Sequence, residues 1–260
     1  MQTDIFHKIE RAGKADFGDI LSKSFNIFKD VWVDGLTHVL LTMIAIVPFL
    51  LVVYIPLLPM YIEMLTYGGD PYYYEPSVDY SILYWIVYVM IVLVLSFVMQ
   101  VFTFVITAHF YMVVKKKDTG SPEDVGGYFV FLKGNFTKLL LLSLATFGIA
   151  IVAALACYLP IFYVMVPIQL MIPIFAFNKE LSVSEIIKAG FKLGNKYWLI
   201  VFGLIIVSSL IAQLGIILCI IGIFATAYFV HLPMYYFYKD TVGFDDAPQN
   251  LGDNIPAEKF

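Results

Sequence analysis

Apolar positions in this chain come in blocks longer than a soluble helix needs. Unbroken runs cover Leu36 to Leu58, Ser81 to Val114, Thr137 to Tyr158 and Ile161 to Phe177. A fifth apolar stretch extends from Tyr197 to Tyr238. A helix needs about 20 apolar residues to cross the hydrocarbon of a bilayer. The last stretch is about two spans long, so it divides near Gly215, with Gly222 as the later limit. The pattern thus predicts an all-α, polytopic integral membrane protein with six transmembrane helices. The second span is long enough to tilt or project. Pro167 and Pro173 are expected to kink the fourth.

The segments before the first, third and fifth spans follow a different rule. Their apolar residues recur at helical spacing, with polar residues between them. Phe17, Ile20, Leu21, Ser24, Phe25, Phe28, Val31 and Trp32 share one face of the first segment. Val125, Tyr128, Phe129, Leu132 and Phe136 do so in the second. Val183, Ile186, Ile187, Gly190, Phe191, Gly194, Tyr197 and Trp198 do so in the third. Three amphipathic interfacial helices are predicted, at about 16–32, 122–135 and 182–196. The sequences around Ser121-Pro122-Glu123 and Ser182-Val183-Ser184-Glu185 read as helix starts.

The three segments also share a spacing. An acid is followed six residues later by Phe and seven later again by Trp or Phe: Asp19, Phe25, Trp32; Glu123, Phe129, Phe136; Glu185, Phe191, Trp198. The unit of interfacial helix plus two spans therefore occurs three times, a pseudo-threefold repeat. The six aromatics are predicted anchors at the membrane interface. The other reading is that these helices dock on the bundle and cap it.

Composition agrees with lipid as the solvent. Of 260 residues, 61% are hydrophobic and 14% charged, against about 25% charged in soluble domains. The net charge of −4 and the lack of a basic face argue against nucleic acid. All 16 Lys and Arg residues fall in the N-terminal segment, in two loops and after the sixth span. The loops are 115–138 and 179–196, and Lys239 and Lys259 follow the last span. The remaining connections carry none, and the one from Tyr61 to Tyr80 holds only acids: Glu63, Asp70, Glu75 and Asp79. A Lys at mid-bilayer costs about 2.5–3.5 kcal/mol. Both termini are therefore expected in the cytoplasm, and the first span is expected to serve as its own insertion signal. A membrane domain over 1–240 would be followed by a flexible acidic tail, 241–260.

The stretch from Pro173 through Asn178-Lys-Glu-Leu-Ser-Val-Ser-Glu-Ile-Ile-Lys-Ala-Gly-Phe-Lys-Leu-Gly-Asn-Lys-Tyr-Trp198 resembles a recurring feature of bacterial six-span membrane proteins. These include the membrane domain attached to some glycerophosphoryl diester phosphodiesterases. The resemblance covers most of 15–240. It implies the six-span topology, the repeats and a place in the bacterial inner membrane. It does not imply phosphodiesterase chemistry, because these residues supply no soluble catalytic barrel and Arg11 is the only arginine.

Candidate chemistry is sparse. His38, His109 and His231 lie in or beside spans, all in the cytoplasmic half by this topology. Intramembrane ionisable groups are functional candidates, and three histidines admit a metal or a proton relay. Helix packing is the preferred reading, since no pair sits at ligand spacing on one helix. Gln100, Thr103 and Thr107 form a polar stripe on the second span, and Gln169 adds an amide on the fourth. They suit interhelical hydrogen bonds or a transport path. Thr146, Ala150, Ala153, Ala154 and Cys157 offer a small-residue packing face. Cys157 and Cys219 form no CxxC pair and are expected among packed helices. The tyrosine-rich loop 67–80 reads as an aromatic belt.

Without a P-loop, nucleophile elbow, HExxH or cysteine pair, no cofactor or metal is expected and no enzyme is indicated. The leading expectation is a membrane scaffold or accessory subunit that organises lipid or other membrane proteins. A transporter or channel for a small or lipid-like solute is the alternative. With Cys157 and Cys219 replaced by serine, a cysteine at position 116 is expected to resist membrane-impermeant maleimide added to intact cells. Labelling there would overturn the topology.

Overall fold

The computed structural model describes residues 4–66, 81–122, 124–218 and 222–244. Among these residues the chain is helical throughout, with no strand. The order is α1 (Asp4–Arg11), α2 (Phe17–Tyr54), α3 (Leu58–Thr66), α4 (Ile82–Thr119), α5 (Phe136–Leu155), α6 (Leu159–Phe177), α7 (Val183–Lys196), α8 (Trp198–Gln213), α9 (Gly222–Thr226) and α10 (Leu232–Thr241). Short 3₁₀ turns occupy Ile55–Leu57, Val130–Leu132, Leu214–Leu218 and Ala227–His231. Five continuous stretches are long and apolar enough to cross a membrane: Phe17–Thr66, Ile82–Thr119, Phe136–Leu155, Leu159–Phe177 and Trp198–Ile217. The chain is therefore an all-α, multi-pass membrane protein. The sixth span is expected between about Gly215 and Tyr238; in that region the chain from Gly222 to Thr241 is divided into α9, a 3₁₀ turn and α10. Pro233 enters at the start of α10, where its missing N–H costs no helical bond.

Burial is concentrated at the lysine-bearing end. Every buried residue of α2 lies between Ile20 and Val39, and every one of α4 between Phe104 and Val114. Beyond these limits both helices expose Leu, Ile, Val and Met over several turns. A monomer in water does not present apolar surface on that scale. Even so, α2 and α4 stay joined at the far end. Where α2 tightens into 3₁₀ at Ile55–Leu57, the change of bonding frees carbonyls. The Tyr88 phenol donates to the Val53 carbonyl at 2.7 Å, and the Tyr84 phenol to that of Pro56 at 3.4 Å.

The three expected interfacial helices have three different outcomes. The first is helical from Phe17, capped by Asp16 accepting from the Asp19 amide at 2.7 Å, but it runs without a break into the span. The second does not form. Residues 124–129 are irregular, and only Val130–Leu132 make a 3₁₀ turn. Gly126 and Gly134 sit at φ 76° and 80°, left-handed values that stop a helix and that glycine adopts without strain. Glu123 of the second repeat copy lies outside the described residues. The third is α7, which starts at Ser182 with the full capping box: the Ser182 amide donates to Glu185 Oε2 at 2.8 Å and the Glu185 amide to Ser182 Oγ.

α7 docks on the bundle. Gly190 and Gly194, one turn apart, face α6 so closely that a Cβ on Gly190 would lie 2.7 Å from Met171 Cγ. One on Gly194 would lie 3.2 Å from the Pro167 Cα. α6 continues through Pro167 and Pro173 without a break in assignment. The other side of α7 holds α1. Lys192 pairs with Glu10 at 2.6 Å. Lys196 Nζ donates to the carbonyls of Ile9, Glu10 and Ala12 at 2.8–3.0 Å, closing the C-terminus of α1. The Lys192 hydrogen bond and charge hold the exposed Glu10 carboxyl below its ordinary range. Lys23 bridges Asp19 at 2.7 Å and Asp240 at 3.0 Å. Its ammonium is raised, chiefly by the Asp19 bond, against the opposing effect of burial.

Gly215 and Gly222, the two limits that the sequence sets for the turn between the fifth and sixth apolar segments, lie against each other. A Cβ on Gly215 would collide with Thr226 and the Gly222 backbone, so only glycine lets the two segments meet. Cys157 is exposed in the α5–α6 turn at φ 64°, rather than packed between helices. Cys219, the 67–80 belt and the tail from 245 lie outside the described residues.

Asp118, at the end of α4, fastens α10. Its carboxylate accepts from the Tyr235 phenol at 2.7 Å, the Tyr236 phenol at 2.9 Å and Lys239 Nζ at 2.6 Å, with its side chain only 12% exposed. Asp118→Ala is expected to lower unfolding free energy in detergent by about 1.5–3 kcal/mol, with Asp118→Asn losing less. Gly194→Leu is expected to cost about 1–3 kcal/mol by overpacking against Pro167. Thermal or denaturant unfolding of the purified protein checks both.

Candidate functional site

The seven polar candidates of the sequence form two separate places rather than one. Gln100, Thr103 and Gln169 line a cavity of about 480 Å³ between α2, α4, α5 and α6, near the middle of the long helices. Its size is that of a small-molecule site. The walls are otherwise mostly apolar, with Ile46, Phe49 and Leu50 from α2 and Ile168 and Ile172 from α6. Thr107 and the three histidines lie elsewhere, deeper toward the basic end.

Helical spacing explains the cavity's polar side. Ser96, Gln100 and Thr103 stand at i, i+4 and i+7 on α4, one face of the helix. Across from them, α5 contributes Thr146 and α6 contributes Gln169. The Thr146 hydroxyl donates to its own helix, to the Leu142 and Ser143 carbonyls at 3.1 and 3.0 Å. Its oxygen accepts from Gln100 Nε2 at 2.8 Å. That bond fixes the Gln100 amide and leaves its carbonyl oxygen facing away from Thr146. Among the described residues, Ser96, Thr103 and Gln169 make no side-chain hydrogen bond, so their donors and acceptors remain available. None of the lining side chains is ionisable. The cavity can hydrogen-bond a polar group and pack an apolar body, and no carboxylate, imidazole or amine lines it.

Ser96 and Thr146 escaped the sequence reading. Ser96 continues the stripe of Gln100, Thr103 and Thr107 by one turn, and that regularity could have found it. Thr146 falls within the small-residue face of α5 and gave no signal that an amide would reach it.

The second place is the histidine cluster. His38 of α2 and His109 of α4 meet, Nε2 to Nδ1, at 2.9 Å, with rings 27° from parallel. His38 Nδ1 lies 2.6 Å from the Asp34 carbonyl, and His109 Nε2 lies 3.2 Å from that of Gly126. His38 is flanked by Tyr128, Tyr228 and Phe110, and His109 by Tyr128. Thr107 is buried one turn before Tyr111 on α4, and the Tyr228 hydroxyl lies 3.4 Å from Thr42 Oγ1. His231 is half-buried beside Tyr228 and Tyr111, and its Nδ1, shielded from solvent, has no partner among the described residues. Among those residues, no three His, Cys, Asp or Glu side chains converge as metal ligands. Gly126 and Tyr128 come from the segment expected to be a helix. Because it is irregular, its backbone can turn a carbonyl toward His109.

The six aromatic anchors divide similarly. Trp32 and Phe136 are exposed, as are Phe25 and Phe129, which also touch Phe229 and Phe102. Phe191 and Trp198 are half-buried against Tyr163, whose carbonyl accepts from Trp198 Nε1 at 3.2 Å. The first four suit a membrane interface, whereas the last two tie α7 and α8 to α6.

Comparison with known proteins finds no matching family model, no matching curated protein and no matching solved structure.

Proposed function

We propose that this protein binds a small, lipid-like solute in the cavity between α2, α4, α5 and α6 and carries it within or across the membrane, without chemical conversion. The observation that carries this reading is the convergence of Ser96, Thr103 and Gln169, without side-chain hydrogen bonds among the described residues, in a mostly apolar cavity of about 480 Å³. Polar groups left unpaired at such a depth are costly. A bound molecule that pairs with them recovers that cost. With no cation or anion in the lining, a carboxylate or phosphate would enter uncompensated. The favoured solute therefore has an apolar chain and an uncharged head bearing hydroxyl or amide groups.

The same proposal places the chain in a bacterial inner membrane with both termini cytoplasmic and a sixth crossing by Gly222–Thr241. Fifteen α-helical and five 3₁₀ residues there give a length of about 32 Å, enough for the hydrocarbon. Relation to the six-span membrane domains of glycerophosphoryl diester phosphodiesterases belongs to this reading too. A second reading, a scaffold that organises lipids or a larger membrane complex, is favoured by the exposed Trp32 and Phe136 and the wide apolar surface of α2 and α4.

The test uses the full chain in nanodiscs and a photoreactive monoacylglycerol. Crosslinks are expected at cavity residues of α4 and α6. Gln169→Leu combined with Thr103→Val is expected to weaken labelling by about tenfold, the worth of one to two hydrogen bonds. A photoreactive fatty acid of equal chain length should label more weakly. Labelling spread over the outer helix faces and indifferent to both substitutions would reject the cavity reading and leave the scaffold.

A further inference from the structure

The geometry assigns a bound proton to the His38–His109 pair, which makes the two rings a single cationic unit inside the helix bundle. The assignment comes from counting hydrogens. A carbonyl oxygen can only accept, so His38 Nδ1, 2.6 Å from the Asp34 carbonyl, carries a hydrogen. For the same reason His109 Nε2 carries one toward the Gly126 carbonyl at 3.2 Å. A neutral imidazole has one N–H and one bare nitrogen. Two neutral rings would therefore point two lone pairs at each other across 2.9 Å. That separation is an ordinary N–H···N distance and a repulsive one without the hydrogen. Three protons on four ring nitrogens satisfy every contact, and the unit then carries one positive charge.

The alternatives fit less well. Turning either ring about its Cβ–Cγ bond puts carbon against a carbonyl and carbon against the other ring, losing two hydrogen bonds. A metal in place of the proton does not fit either. Two imidazoles on a tetrahedral ion at about 2.0–2.1 Å hold their nitrogens roughly 3.3 Å apart and need further ligands. Among the described residues those ligands are missing.

The surroundings suit a charge. Tyr128 lies 5.0 and 4.9 Å from the two rings, centroid to centroid, and Phe110 and Tyr228 flank His38 at 5.2 and 5.6 Å. Their faces and the two carbonyls offer negative potential. The titratable groups facing the pair are few. α2 brings Asp34, whose carboxylate is already paired with Lys117 of α4 at 2.6 Å. α4 also brings Tyr111, the 124–135 segment Tyr128, and the 227–231 turn Tyr228 and His231. His231 makes no hydrogen bond to the pair, so the proton is shared by two rings rather than three. Through Asp34, His38, His109 and Gly126 the proton ties together α2, α4 and the loop after α4. Its loss would set two lone pairs against each other at that junction. The inference is independent of the cavity's occupant.

Nitrogen-15 NMR of the full chain in nanodiscs at pH 7, labelled at histidine, reads the protonation directly. A His7→Gln background removes the exposed ring, and His231→Gln assigns the third. The expected spectrum has three protonated nitrogens on His38 and His109 together, with a one-bond-coupled N–H proton shifted far downfield by its N–H···N bond. His109→Gln should abolish that resonance while leaving a neutral His38 with one N–H. One protonated and one bare nitrogen on each ring of the parent protein would overturn the assignment, whatever the variants do.

Discussion

The structure depends on one constraint: a backbone or side-chain polar group is costly to leave unpaired where water is absent. Pro167 frees the carbonyl of Tyr163 one turn back, and Trp198 Nε1 donates to it at 3.2 Å. Where α2 changes to 3₁₀ before α3, phenols from α4 take up carbonyls. At the start of α1's neighbour loop, Lys196 and Tyr197 collect the carbonyls from Ile9 to Gly13. Thr42, Thr66, Ser24 and Thr241 bond back one turn along their own helices. Among the described residues, the buried atoms Tyr111 Oη, Ser143 Oγ and His231 Nδ1 lack a partner and are sealed in the packing, whereas the available groups of Ser96, Thr103 and Gln169 share a cavity.

The same constraint orders the two ends of the molecule. At the basic end, charges are matched at close range by Asp34 with Lys117, Asp118 with Lys239 and Glu10 with Lys192, and the helices pack around them. Toward the other end, the apolar faces of α2 and α4 have no protein to cover them over several turns. Hydrocarbon there performs the task a core performs in water. The lysines gathered at the basic end thus also hold its packed helices together.

Much of the fold was legible because hydrophobic blocks report directly on lipid. The helical class and five of the long apolar stretches follow from length and hydropathy alone, although α2 and α4 run beyond the limits that the apolar blocks suggest. The capping box at Ser182 was equally plain. The second interfacial helix failed for a local reason. Val125, Tyr128, Phe129 and Leu132 have helical spacing, but Gly126, Gly127 and Gly134 interrupt them, and periodicity counts side chains without weighing backbone freedom. The polar site was half legible. Gln100, Thr103 and Gln169 were named together, yet spacing along α4 could not say that Thr107 and His109, one and two turns on, pass below the cavity into another cluster. The meeting of His38 with His109, 71 residues apart in sequence, depends on tertiary packing that no local pattern encodes.

α2 and α4 are each 38 residues without interruption, rods of about 57 Å. A rod fixed at one end converts a small rotation into a large sweep at the other, roughly 1 Å of travel for each degree. The hairpin built from these two helices escapes that amplification because it is fastened twice, by Asp34 with Lys117 toward the basic end and by Tyr88 with Val53 and Tyr84 with Pro56 at the other. The two clasps hold the spacing of the pair along most of its length.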